Sequence, residues 1–193
     1  MISAIRDTEL NILAAPLPGV YVIKPERHTD ARGFFVETYN KKALAEGGIQ
    51  ATFVQDNISA SERIGTLRGL HYQTHPCAQA KLASVLQGSV LDVVVDLRRS
   101  SPCFGQHFSI ELTAEEGNQL FIPAGFAHGF ITRAENTIFA YKVSNYYSSK
   151  HDAGVHFADP SLSISWGMPA AQIFVSERDE ALPAFNPATA YFT

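Results

Sequence analysis

The sequence predicts an all-β fold, and among all-β folds it favours a jelly roll. Apolar and polar residues alternate with a period of two in many short segments, as in strands that bury one face. Turn residues interrupt these segments at the close spacing that is typical of sandwiches and barrels. Helix signals are few, at Lys41–Glu46 and at 161–162. Because there is no internal repeat, linker or low-complexity tract, we expect one domain over residues 1–193.

The individual strands follow from this alternation and from the turns that end them. In segment 90–97 the odd positions are apolar, while two of the even positions are aspartates. The same period recurs in 108–112 and in 139–143. Gly88 and the segments 100–102, 116–118 and 123–125 supply the breaks. The residues that define the alternation are Leu91, Val93, Val95 and Leu97, then Phe108, Ile110 and Leu112, then Phe139, Tyr141 and Val143.

The composition is that of an ordinary globular protein and argues against two classes of partner. Hydrophobic residues make up 46% of the chain, charged residues 18%, and the net charge is −4. A weakly acidic chain is a poor match for nucleic acid, which calls for clustered positive charge. No apolar run approaches the length of a membrane span and no leader opens the chain, so we expect a cytoplasmic protein. Cys77 and Cys103 are expected to be free thiols.

Three polar side chains are expected to line one pocket inside the barrel. By alternation, His71 in Leu67–Gln73, Lys81 in Lys81–Gln87 and Tyr141 lie on faces that are otherwise small or apolar. A β-bulge would change this register. The neighbours predicted on the same faces are Leu67, Gly69 and Gln73 for the first strand, Ala83 and Val85 for the second, and Phe139 and Val143 for the third.

A jelly roll of the cupin type holds its metal with two motifs, and only one of them is intact here. The later motif, PxGxxH, is matched by Pro123, Gly125 and His128. The earlier motif, HxH followed by a glutamate, keeps only His71, because its second histidine is replaced by Gln73 and no glutamate follows at the required spacing. The next Asp, Glu, Lys or Arg side chain is Lys81, whose ammonium would repel a divalent ion. We therefore predict no metal.

Nine segments of the chain, in one order, resemble the dTDP-4-dehydrorhamnose 3,5-epimerase family. The likeness runs from about residue 16 to residue 185. It implies a cupin-type jelly roll, a homodimer, a nucleotide-diphosphate sugar as substrate, and no coenzyme or metal. The segments are RGFFVETYN (32–40), FVQDN (53–57), RGLHYQ (68–73), AQAKL (78–82), DVVVDLR (92–98), SPCFGQ (101–106), LFIPAGFAHGF (120–130), YKVSNYY (141–147) and ISW (164–166).

The resemblance also implies roles for the polar residues of the pocket. A 4-keto sugar has acidic hydrogens at C3 and C5, so its inversion needs a base, an acid on the opposite face and a cation for the charge on O4. The family places the base at His71, the acid at Tyr141 and the cation at Lys81. Its aspartate partner for the base falls on Asp179 in SERD (176–179), while Asp159 in FADP fits the spacing less well.

Substrate contacts are implied at further positions. Arg32 and Arg68 match the residues that contact the diphosphate, a task suited to guanidinium groups. Phe34 and either Tyr146 or Tyr147 are candidates for stacking on the base, although core packing is an equal alternative. The remaining predicted contacts are Glu37, Gln55, Asn57, Gln73 and His128.

The leading hypothesis is an isomerase that epimerises a dTDP-linked 4-keto-6-deoxyhexose at C3 and C5. A monofunctional 3- or 5-epimerase, acting on a dTDP-, CDP- or GDP-linked keto sugar, is the nearest competing hypothesis. Three further functions stay open at the level of sequence: a 3,4-ketoisomerase, a cupin metalloenzyme such as a dioxygenase, and a non-catalytic sugar-nucleotide binding module.

Overall fold

The computed structural model describes residues 10–192, so residues 1–9 and 193 of the predicted domain lie outside the described residues. The described chain forms two antiparallel sheets and a separate hairpin. The strands are β1 (Asn11–Ala14), β2 (Tyr21–Lys24), β3 (Arg27–Asp30), β4 (Gly33–Val36), β5 (Gln55–Ser61), β6 (Leu67–Gln73), β7 (Lys81–Gln87), β8 (Ser89–Asp96), β9 (His107–Thr113), β10 (Gln119–Ile122), β11 (Phe126–Thr132), β12 (Thr137–Val143) and β13 (Asp152–Gly154). Two short α-helices, α1 (Lys41–Glu46) and α2 (Glu177–Glu180), and a 3-10 turn at Ala170–Gln172 complete the described elements.

The two sheets face each other across a shared core, which confirms the predicted all-β jelly roll. One sheet has six strands in the order β1-β2-β10-β7-β12-β5, and the other has five in the order β13-β6-β11-β8-β9. Apolar side chains from both sheets meet in one cluster that includes Val85 and Phe139 from the first and Val94 and Phe130 from the second. Among the described strands, β3 and β4 pair only with each other.

Strand β8 is buried on both faces, which explains why its apolar run is nearly continuous. Its odd positions pack under the C-terminal segment, against Phe157 and Trp166. Its even positions face the other sheet, where Asp92 is fully buried. The predicted alternation in 90–97 is therefore confirmed.

Strand β6 departs from simple alternation at Gly69. Pairing with β11 joins His128 to His71 but Phe130 to Arg68, so β6 carries one extra residue between the two pairs. Gly69 has a φ of 127°, and a Cβ there would lie 2.5 Å from the Cα of Gly129. Only glycine allows this approach of the two backbones.

The bulge corrects one of the predicted faces. Leu67 joins the apolar cluster that also contains Leu70 and Tyr72, whereas Arg68 and His71 line the cavity described below. His71 therefore does not share a face with Leu67, because the extra residue shifts the alternation of faces by one position. Alternation in β7 and β12 is undisturbed at Lys81 and Tyr141, which line that same cavity.

The helix prediction is right at one position and wrong at the other. Asn40 caps α1 by accepting hydrogen bonds from the backbone N–H groups of residues 42 and 43, as a short helix requires. Residues 161–162 form a turn instead. The Asp159 carboxylate accepts from the backbone N–H of Ser161, and this local hydrogen bond competes with a helical one. Within residues 10–192, no helix has both the length and the apolar character needed to cross a membrane.

Candidate active site

A cavity of about 270 Å³ opens between the two sheets at the point where β6 carries its bulge. His71 and His128 reach it from the five-stranded sheet, while Lys81 and Tyr141 reach it from the six-stranded sheet. Helix α2 closes one side. The lining residues are Ser59, Arg68, His71, Lys81, His128, Gly129, Phe130, Phe139, Tyr141, Ser176, Arg178 and Asp179.

His71 and Asp179 form a hydrogen-bonded pair at the cavity wall. The Nε2 atom of His71 lies 2.8 Å from Oδ1 of Asp179, and the backbone N–H of Gly69 donates to Oδ2 at 3.1 Å. Burial alone would raise the pKa of the Asp179 carboxyl, but hydrogen bonds from His71 and Gly69 and nearby positive charge lower it below its usual value. The ionised carboxylate fixes the Nε2–H tautomer, so Nδ1 of His71 is the nitrogen that can accept a proton.

Lys81 is a buried residue of the cavity lining. Its Nζ is 3.4 Å from Nδ1 of His128 and 3.5 Å from the backbone oxygen of His71. Burial lowers the pKa of Lys81 to about 8, an effect that the carboxylates of Asp92 and Asp152 partly oppose. The side chain is therefore a cation at neutral pH, placed where substrate charge can be stabilised without bulk water.

A second histidine–aspartate pair supports Lys81 from behind. Nε2 of His128 lies 3.0 Å from both carboxylate oxygens of Asp92. Burial lowers the pKa of His128, with the Lys81 cation acting in the same direction and the Asp92 carboxylate in the opposite one. A neutral His128 donates through Nε2–H to Asp92 and accepts through Nδ1 from the Lys81 ammonium. The pair therefore orients the lysine.

Tyr141 enters the cavity from the wall opposite His71. It pairs with Ala83 of β7, and its ring packs beside that of Phe139 at a centroid distance of 6.0 Å. Nζ of Lys81 lies 6.0 Å from the centroid of the Tyr141 ring. Burial raises the pKa of the Tyr141 phenol, so it carries its proton at neutral pH and can donate it.

Asp159, the second aspartate considered as a partner for the base, lies elsewhere. Its carboxylate accepts from the backbone N–H groups of Ser161 and Phe185, at 2.8 Å each. These bonds tie the 158–163 turn to the C-terminal segment. Of the two aspartates, Asp179 is the one that the structure brings to His71.

The predicted substrate contacts divide into those at or near the cavity and those away from it. Arg68 lines the cavity. Gln55 donates to Asn57 at 2.8 Å and accepts from the backbone N–H of Tyr147 at 3.1 Å, which joins β5 to the loop after β12. Tyr146 is exposed in that same loop.

Gln73, a predicted substrate contact, forms structural hydrogen bonds in this fold. Its side chain is buried and makes two hydrogen bonds to the backbone of Ser148, one as donor at 3.1 Å and one as acceptor at 3.0 Å. It therefore holds the loop of Tyr146 and Tyr147 against β6.

Arg32, Phe34 and Glu37 are not among the residues that line this cavity. Arg32 bonds to Asp30, and Phe34 packs under the Arg27 guanidinium at 4.0 Å. Both residues belong to the β3–β4 hairpin. Glu37 follows this hairpin and accepts from the Asn40 side chain at 2.8 Å.

Sequence reasoning did not single out several residues at or beside the site, among them Ser59, Asp92, Asp152 and Arg178. A signal existed for Asp92, since a carboxylate with apolar neighbours on both sides in a buried strand needs a buried partner. Ser59 and Arg178 line the cavity, and Asp152 pairs with Arg178. No sequence pattern marks these three, because their position depends on how distant segments pack.

Two comparisons support one family. A family model described as dTDP-4-dehydrorhamnose 3,5-epimerase matches residues 14–187. A dTDP-4-dehydrorhamnose 3,5-epimerase of Shigella flexneri is 43% identical over 171 residues, which cover 88% of this chain and 93% of that protein.

Solved structures agree with the sequence comparison. A dTDP-4-dehydrorhamnose 3,5-epimerase of Bacillus anthracis, with TDP and PPi bound, superimposes with a TM-score of 0.88 at 44% identity and covers 91% of this chain and 99% of its own. A Legionella pneumophila dTDP-6-deoxy-D-glucose-3,5-epimerase in complex with dTDP-4-keto-L-rhamnose has a TM-score of 0.85 at 40% identity, with 92% and 99% covered. With a family model that spans nearly the whole fold and relatives this similar, the chain belongs to the dTDP-4-dehydrorhamnose 3,5-epimerase family.

Proposed function

We propose that the protein inverts C3 and C5 of a dTDP-linked 4-keto-6-deoxyhexose, converting dTDP-4-dehydro-6-deoxy-D-glucose to dTDP-4-dehydro-L-rhamnose. One observation carries the proposal. His71, paired with Asp179 at 2.8 Å, and Tyr141 face one cavity from opposite sheets, and Lys81 lines the same cavity. This arrangement offers a base, an acid on the other side and a cation, which are the three groups that inversion beside a ketone requires.

The first step removes a proton from the carbon next to the ketone. Nδ1 of His71 accepts the C3 or C5 hydrogen, and the C–H electron pair becomes the C–C double bond of an enolate. The negative charge moves to O4, where the Lys81 ammonium stabilises it. Asp179 stabilises the imidazolium that forms, because its carboxylate accepts the Nε2–H bond.

The second step returns a proton from the opposite face. The Tyr141 phenol donates to the enolate carbon, the double bond reverts to the ketone, and the centre is inverted. His71 then loses its proton and Tyr141 regains one through exchange with water. The proton returned therefore comes from the solvent and not from the substrate.

Solvent deuterium tests the proposal directly. Purified protein is incubated with dTDP-4-keto-6-deoxyglucose in deuterated water, and the product is analysed by proton NMR. We expect deuterium at C3 and C5. Label at only one centre would support a monofunctional epimerase, and label at neither would overturn the proposal. A panel of dTDP-, CDP- and GDP-linked keto sugars identifies the preferred nucleotide.

A homodimer is part of the proposal, and the β3–β4 hairpin suggests why it matters. If Arg32 and Phe34 contact the substrate, they do so in the cavity of a second copy, since neither lines its own. Phe34 is 60% exposed and Phe35 61%, which supports burial of the hairpin against a partner.

Mixed dimers test this arrangement. Arg32→Ala removes the guanidinium group of the hairpin, and His71→Asn removes the proposed base of the cavity. Each variant alone is therefore expected to be inactive. When the two are refolded together, a mixed dimer pairs the intact hairpin of one copy with the intact cavity of the other. Activity should return in the mixture. Without such recovery, Arg32 would act in its own chain or not at all.

We also propose catalysis without a metal or coenzyme. In residues 10–192 no three His, Cys, Asp or Glu side chains are grouped so as to hold an ion. The positive charge that a metal would bring is supplied by Lys81. Turnover should therefore be unchanged after treatment with a chelator. A cytoplasmic location, suggested by the thiols of Cys77 and Cys103, stays a prediction.

A further inference from the structure

Asp152 contacts two elements beside the active site, helix α2 and the loop between β12 and β13. It lies at the start of β13, opposite Gln73 of β6, and only 12% of its side chain is exposed. Its Oδ2 atom accepts a hydrogen bond from the Tyr147 hydroxyl at 3.0 Å. The same oxygen forms an ion pair with the guanidinium of Arg178.

The first of these elements, α2, has little stability of its own. It has four residues, and an isolated helix of that length does not persist in water. It is held by Asp179, which bonds to β6, and by Arg178, which bonds to Asp152. Leu182, just beyond the helix, packs against Gly154 of β13. Asp152 therefore supplies one of the few tethers that keep the Asp179 carboxylate beside His71.

The second element is the loop between β12 and β13, which carries Tyr147. Its backbone is fixed at Ser148 by Gln73 and at Tyr147 by Gln55. Tyr147 is 55% exposed, so the hydrogen bond from its hydroxyl to Asp152 orients a side chain with few packing contacts. The same carboxylate thus fixes a tyrosine that is a candidate for stacking on the base and the helix that carries the partner of His71.

We propose that Asp152 is a positioning residue that couples the nucleotide-contacting loop to the His71–Asp179 pair. Its carboxylate holds Tyr147 and Arg178 at once, so binding of the nucleotide against the loop also fixes α2 in the arrangement that His71 needs. The inference rests on the proposed epimerase function, since it assigns Asp152 a role in that reaction.

The charge of Asp152 also reaches the catalytic groups. It raises the pKa of Lys81 and that of Tyr141, although burial is the larger influence on both. The other ionisable groups around Lys81 are His71 on β6, His128 on β11, Asp92 on β8 and Tyr141 on β12. The other ionisable groups around Tyr141 are Arg68, Tyr147 and Lys81. Loss of the Asp152 charge should therefore lower both pKa values together.

Asp152→Asn tests the proposal by separating position from charge. In Asp152→Asn we expect kcat to fall by about 10- to 100-fold relative to the wild-type enzyme. A fall of this size is typical when a catalytic group, here the His71–Asp179 pair, is displaced by about 1 Å. The alkaline limb of the kcat/KM profile should move to lower pH. Asp152→Glu should restore that limb because it restores the charge. Glu46→Gln, at an exposed ion pair with Lys42 on α1, is the matched control and should change neither quantity.

Tyr147→Phe and Arg178→Gln give an independent reading if Asp152→Asn does not fold. Tyr147 and Arg178 both act through the Asp152 carboxylate, so their effects should not be independent. The fold-loss of activity in the double variant should be smaller than the product of the fold-losses in the two single variants. Strictly multiplicative losses would overturn the proposal, as would a folded Asp152→Asn enzyme with wild-type kcat and pH profile. Failure of the wild-type enzyme to exchange deuterium would instead refute the epimerase function itself.

Discussion

The cavity contains two histidine–aspartate pairs that are close neighbours and differ mainly in burial. His71 and His128 lie directly opposite each other in the pairing of β6 with β11. The side chain of His71 is 29% exposed, whereas that of His128 is 6% exposed. Asp179 reaches His71 from the short helix α2, and Asp92 reaches His128 from β8, the strand next to β11.

This difference shows how one pair of residue types can serve two tasks. His71 is open to the cavity and has a free nitrogen to exchange a proton with a substrate. His128 is enclosed, and both its nitrogens are engaged by Asp92 and Lys81. In our account the exposed pair carries out proton transfer, and the buried pair holds the cation that stabilises O4. If the two tasks are separate, substitutions at the two pairs should have different effects on rate and stability.

The largest effect on the reaction rate is expected from substitution of Asp179, the aspartate of the exposed pair. In Asp179→Asn, the amide N–H₂ can face Nε2 of His71 and stabilise the tautomer that carries its proton on Nδ1. That nitrogen can no longer accept the substrate proton, so deuterium exchange should fall by about 10²- to 10⁴-fold. Glu180→Gln, on the same helix, is the matched control and should exchange at the wild-type rate. Equal activity in both variants would contradict the role of Asp179.

The next largest effect on the rate is expected from substitution of Lys81, the cation that the buried pair orients. Lys81→Met keeps the length of the side chain and removes its charge, so kcat should fall by roughly 10²- to 10³-fold. In the wild-type enzyme the ammonium acts only while protonated, so kcat should decline as pH rises through about 8, the pKa of Lys81. This decline should be absent from the residual activity of Lys81→Met. A wild-type rate that stays constant well above that pH would argue that Lys81 is not the required cation.

A smaller effect on rate is expected at Asp92, together with a loss of stability. In Asp92→Asn, His128 exchanges a charged acceptor for a neutral one, which should lower the free energy of unfolding by about 1–3 kcal/mol in urea titrations. Removal of the carboxylate also lowers the pKa of Lys81, so the alkaline decline in kcat should begin at lower pH. The rate at neutral pH should fall far less than in Asp179→Asn. A larger fall in a folded protein would mean that the buried pair takes part in proton transfer.

The smallest effect concerns acid stability. The pKa of Asp179 is lower in the folded protein than in the unfolded chain, so its ionised form stabilises the fold. This contribution is fully present above the unfolded pKa of about 4 and is lost as pH falls through the folded value. Denaturant titrations at about pH 6 and about pH 3 should therefore show a difference between wild type and Asp179→Asn that shrinks at low pH. A difference that is the same at both pH values would contradict this link.

The sequence predicted the part of the site that depends on local pattern. Alternation in β7 and β12 placed Lys81 and Tyr141 on faces that do line one cavity. The resemblance to a family supplied Asp179, a residue 108 positions from His71 that no local pattern could have connected to it.

The sequence could not predict what depends on packing between distant segments. The bulge in β6 comes from the close approach of Gly69 to Gly129, and it is this bulge that turns Arg68 toward the cavity. Helix α2 is too short to leave a periodic signal, and it forms because Ser176 caps it and β6 and β13 hold it. The Asp152 contacts are likewise visible only once β13 and α2 are adjacent.

The central claim, that the exposed pair transfers the proton while the buried pair supports the cation, can be tested with one pair of variants. His71→Asn and Asp92→Asn are incubated side by side with dTDP-4-keto-6-deoxyglucose in deuterated water, after TDP binding has shown that both are folded. We expect no deuterium at C3 or C5 with His71→Asn, and slower but complete labelling with Asp92→Asn. Labelling by His71→Asn at the wild-type rate would contradict this claim.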